Sequence, residues 1–116
     1  MMKYLKKITL LALTLMSTPL FAHGMLGPTF PTDGAMMHEP TDRLEVNFNT
    51  PMKLVNLKLI SSSGKPVAID FERSKTSAKN FTTPVSGLKP DNYTVHWKAI
   101  GDDGHLMKGS YHFMQH

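Results

Sequence analysis

From residue 26 onward, apolar residues recur at every second position through most of the chain. Arg43-Leu44-Glu45-Val46-Asn47-Phe48-Asn49 puts Leu44, Val46 and Phe48 on one face and polar side chains on the other, which is the period of a half-buried β-strand. Val55, Leu57 and Leu59 repeat the pattern. Ser61-Ser62-Ser63-Gly64 then turns the chain into Val67, Ile69 and Phe71. Arg73 to Asn80 is polar and turn-like and leads to a short strand near Phe81. Gly87-Leu88-Lys89-Pro90-Asp91-Asn92 is a second turn, after which Tyr93, Val95, Trp97 and Ala99 face inward. Gly101-Asp102-Asp103-Gly104 is a third turn, and Met107, Tyr111 and Phe113 lie on the final strand. A strand around Leu26 to Phe30 brings the number to about seven. That spacing predicts an all-β domain, an antiparallel sandwich or small Greek-key barrel.

The first 22 residues follow another rule. Lys3, Lys6 and Lys7 form a basic start, Ile8 to Met16 an apolar run, and Ser17-Thr18-Pro19-Leu20-Phe21-Ala22 a polar to small-residue exit, the order of a cleavable secretion signal. A spanning helix needs about 20 apolar residues, and Pro19 closes this run early. Cleavage after Ala22 is therefore expected, with residues 1–22 lost and residues 23–116 forming one domain. Removing 22 residues from 116 leaves 94, enough for a single core. Loss of the three lysines lowers the 13 basic residues to 10 against 9 acidic ones. No run of Lys or Arg survives, which argues against a nucleic-acid partner. The chain has no cysteine, so no disulfide staples it and no thiolate is available to a metal.

Cleavage after Ala22 would make His23 the first residue. Its free α-amine and imidazole Nδ1 can close a chelate ring on one metal ion, which an internal histidine cannot do. Asp103-Gly104-His105 sets a carboxylate and an imidazole two residues apart across a glycine. The amine and two imidazoles would supply three nitrogens of the tetragonal site that copper(II) favours. Asp103 would then bind directly, through water, or by holding His105. From these residues alone a plain turn is an equally open reading, because Asp-Gly is a common turn sequence.

The order of a histidine at the mature terminus, Pro31-Thr32-Asp33-Gly34-Ala35, Leu44-Glu45-Val46-Asn47-Phe48-Asn49-Thr50-Pro51 and Tyr93-Thr94-Val95-His96-Trp97-Lys98-Ala99-Ile100-Gly101-Asp102-Asp103-Gly104-His105, followed by Gly109 and Phe113, resembles the CopC family of periplasmic copper-binding proteins. The resemblance spans essentially the whole mature domain. It implies a seven-stranded Greek-key β-barrel, immunoglobulin-like in outline, that holds copper(II) through an N-terminal histidine brace of His23, Asp103 and His105. It also implies a periplasmic role in copper homeostasis or resistance, in which a monomer buffers copper or passes it to an inner-membrane copper transporter or another periplasmic copper protein.

Two features depart from the family pattern. Ser61 to Pro90 contains neither Met nor His, so the methionine-rich copper(I) loop of some relatives is expected to be missing. Gly101 replaces the usual serine, from which a looser turn is expected. Of the remaining side chains, Met25 and Met107 share a face with His23 and His105 on extended strands; each either offers copper(I) a thioether or packs the barrel end. Met36-Met37-His38 reads as surface turn, with a weak copper(I) contact or a partner-facing patch as the alternatives, and His96 and His112 read as outward-facing. His112-x-Met114 is similar to a motif of another periplasmic copper chaperone family but lacks the upstream methionine. His116 reads as a frayed end and Trp97 as core. Lytic polysaccharide monooxygenases, which are enzymes, also use a histidine brace. Ninety-four residues without a set of exposed aromatics argue against that activity, and no reaction is expected. A metal-free immunoglobulin-like interaction module is the third reading.

Overall fold

A computed structural model describes residues 25–116. The expected signal peptide and His23 lie outside the described residues. Seven strands form, with no helix among the described residues: β1 (Leu26–Phe30), β2 (Ala35–Met37), β3 (Arg43–Ser61), β4 (Pro66–Val67), β5 (Ala78–Pro84), β6 (Asp91–Gly101) and β7 (Leu106–Gln115). The expected all-β class is the observed one.

The organising element is β3, a single ladder of 19 residues where the alternation suggests two strands. Its first half pairs antiparallel with β1 on one side and β5 on the other. Asn49, Thr50 and Pro51 are exposed and interrupt the alternation. Beyond them the strand pairs with β6 and, near its end, with β4. One strand thus runs through both layers of a curled sheet, and β6, β7 and β2 extend the second layer.

Leu44, Val46 and Phe48 point inward as the pattern requires. The second half is phased differently from the expectation: Met52, Leu54, Leu57 and Leu59 are buried while Val55 is half-buried. The register shifts between Leu54 and Asn56, so Val55 is the extra residue of a β-bulge, which moves the inward phase by one. Val67, Ile69 and Phe71 all pack on the core, but only Pro66–Val67 forms a ladder.

Ala35–Met37 is a short strand, not surface turn, and it pairs parallel with β7, making the sheet mixed. The count of seven therefore matches the expectation through a different division of the chain. The core closes around Trp97, whose ring meets Phe48 edge-on with centroids 5.2 Å apart. Tyr93 stacks on Phe113 and donates its hydroxyl to the Lys89 carbonyl at 2.6 Å. A tyrosine bonded to backbone just upstream of its own strand also ties down a corner of immunoglobulin-like sandwiches.

Candidate metal centre

The β6–β7 turn is built by its glycines. Gly104 has φ +84°, a conformation that glycine adopts without the Cβ clash other residues suffer. Its N–H donates to the Gly101 carbonyl at 2.9 Å, and the Gly101 N–H donates to the His105 carbonyl at 3.1 Å. The turn is closed, where the absence of a serine at 101 suggests a looser one. A Cβ on Gly101 would stand 3.1 Å from Asp103 Oδ1 and 3.5 Å from Met52 Sδ, so the missing side chain leaves room for the carboxylate.

Within this turn the structure brings Asp103 and His105 together. Oδ1 of Asp103 accepts the His105 backbone N–H at 3.0 Å, and Oδ2 lies 3.0 Å from His105 Nδ1. The His105 N–H, followed by the imidazole's charge, holds the Asp103 carboxyl below its ordinary range. In the neutral ring, with Nδ1 donating to the carboxylate, Nε2 keeps the free lone pair. Both side chains are largely exposed, 81% for His105 and 68% for Asp103, so that nitrogen is accessible. Asp102 has a separate partner: it accepts a hydrogen bond from Ser77 at 3.0 Å, which ties the turn to the segment before β5. Sequence reading misses Ser77, since its only signal is a serine in a polar stretch.

The N-terminal approach to this turn follows from the sheet. The Asn49 N–H donates to the Met25 carbonyl at 2.7 Å, so the described chain begins beside the bend of β3. Three residues further along, Met52 pairs with Gly101. Met25, two residues after His23, therefore lies at the same end of the molecule as Asp103 and His105. Met25 and Met107 are both half-buried and packed against the core. His96 and His112 are exposed on β6 and β7, as expected. His112 is engaged by Asp33, with Nδ1 3.2 Å from Oδ1. Among the described residues no three His, Cys, Asp or Glu side chains converge.

The family model of the CopC domain matches residues 26–116. Protein YobA of Escherichia coli strain K12 is 24% identical over 110 residues, covering 91% of this chain and 89% of YobA. Among solved structures, CopC from Methylosinus trichosporium OB3b superimposes with a TM-score of 0.65 at 19% identity, covering 80% of this chain and 93% of that one. PcoC, a methionine-rich copper resistance protein from Escherichia coli, also gives 0.65, at 24% identity, covering 82% and 100%. At these identities the two structures establish a shared fold, and the family match extends from the start of β1 to the end of the sequence; the chain belongs to the CopC family.

Proposed function

We propose that residues 1–22 are removed on export and that residues 23–116 bind copper(II) in the periplasm. The domain buffers the ion or delivers it to an inner-membrane copper transporter or another periplasmic copper protein. The α-amine and Nδ1 of His23 chelate the ion, and Nε2 of His105 completes three nitrogens of a tetragonal site. Asp103 acts through Nδ1 of His105, fixing the tautomer and the direction of the ring. No reaction is assigned to the protein.

The observation that carries this reading is the Asp103–His105 pair, exposed and internally hydrogen-bonded, at the end of the fold where the chain enters. Membership of a family that includes a copper resistance protein supports copper as the ion. Electron paramagnetic resonance on protein that begins at His23, compared with protein carrying one residue more, tests the brace. The extra residue converts the amine to an amide, so the first protein should give a nitrogen-rich copper(II) spectrum and the second a weaker, different one. Identical spectra and affinities would remove His23 from the site.

A further inference from the structure

β7 carries His112 and Met114 near its end and is followed by His116, and these alternate with buried Tyr111, Phe113 and Gln115. β2 runs beside it in parallel, with Ala35 opposite Phe113, Met36 opposite Met114 and Met37 opposite Gln115. Met37 packs inward, whereas Met36 is 52% exposed. Residues paired in register share a face of the sheet, so the two thioethers of Met36 and Met114 lie on the same outer face. One residue past β2, His38 meets His116, with ring centroids 5.3 Å apart and planes at 42°.

This cluster is held in place. The buried Gln115 amide accepts from the Thr41 N–H at 2.9 Å and the Thr41 hydroxyl at 2.6 Å, and it donates to the Glu39 carbonyl at 3.0 Å and the Met37 carbonyl at 3.4 Å. The segment that bears His38 is thereby clamped to β7. The His116 N–H donates to the Met37 carbonyl at 2.8 Å, so His116 continues the ladder where a frayed end is expected. Methionine ordinarily fills core gaps. An exposed methionine in register with a second one, beside a fixed pair of imidazoles, is a donor set.

We propose that this edge is a second metal site, for a soft univalent cation of the copper(I) and silver(I) class, with Met36, Met114, His38 and His116 as donors. Thioethers select such ions, and imidazole accompanies them. Naming copper(I) as the physiological ion rests on the copper reading above; the donor set does not. The site is independent of the Asp103–His105 turn, because the ten residues of β7 separate the two by roughly 30 Å at about 3.3 Å per residue.

Silver(I) titration of the exported protein, followed by NMR of the methionine methyl and histidine ring signals, tests the proposal. One equivalent should shift Met36, Met114, His38 and His116. Met36→Leu with Met114→Leu should weaken silver binding by about tenfold or more, while His105→Ala should leave it unchanged. Shifts at Met25 and Met107 that vanish in His105→Ala would overturn the site, as would absence of silver binding or equal binding by the double leucine variant. A copper(II) titration of the same proteins keeps the two readings apart. The leucine variant should hold copper(II) like the parent. A protein that takes silver at this edge but no copper(II) would sink the brace and leave this site standing.

Discussion

His105 and Asp103 differ in what each can lose. His105→Ala deletes the Nε2 lone pair and, if that nitrogen is a ligand, most of the copper(II) affinity with it. Asp103→Asn keeps the shape and an oxygen that can still accept a hydrogen bond from Nδ1. Losses from such supporting groups run to about 10 to 100-fold, so competition titrations should rank Asp103→Asn as the milder change. His96→Ala and His112→Ala should have no effect on copper(II). A larger loss from either than from His105→Ala would place the site elsewhere. The pair was legible in sequence because Asp-Gly-His is local: a glycine that reverses the chain in one step fixes both side chains together. The division of labour between Asp102 and Asp103 was not, because it depends on Ser77, 25 residues away from Asp102.

Gly109 has a packing task that strand periodicity hides. It pairs with Trp97 across β6 and β7, and a Cβ at that position would come within 2.6 Å and 2.9 Å of the indole ring. Trp97 is 1% exposed and has little freedom to retreat. Gly109→Ala should therefore destabilise the fold by about 1–3 kcal/mol, the usual cost of overpacking, measured by urea unfolding. Trp97→Phe removes the crowded atoms, so the double variant should lose less than the sum of the singles; strict additivity would show that the ring is not what Gly109 accommodates. Elements were legible where alternation is long and unbroken, as from Leu44 to Phe48 and from Tyr93 to Ala99. They were misread where tertiary structure sets the phase. The bulge at Val55 shifts which residues point inward, and three residues of β2 are too few to display a period. Gln115 reads as an unremarkable polar residue near the chain end, since a buried amide that clamps a distant loop leaves no local trace.

The fold and the proposed brace should respond differently to acid. An α-amine and an imidazole must each shed a proton to bind metal, and groups of these two kinds take up protons between about pH 8 and pH 5. Copper(II) affinity should fall steeply across that range. Asp103 does not contribute to the fall, because its carboxyl is held low and stays charged throughout. The buried polar residues among those described are Thr41, Thr83 and Gln115, none of which titrates, and burial pushes the Tyr93 and Tyr111 hydroxyls further up. Circular dichroism should thus be unchanged at pH 5 while a copper titration weakens. Affinity that survives at pH 5 would point to thioether and carboxylate ligands. The layout of β3 also bears on how a chain without a disulfide avoids aggregation. Passing one strand through both layers leaves four strands at the sheet margins, β1, β5, β4 and β2. Open margins invite strands of other molecules to add on. Here β2 has three residues and β4 two, one of them Pro66. β5 carries an exposed Lys79 and ends on Pro84, and Pro28 interrupts the donors of β1. Every margin is short, charged or broken by proline, which denies a neighbouring copy a template for stacking into aggregates.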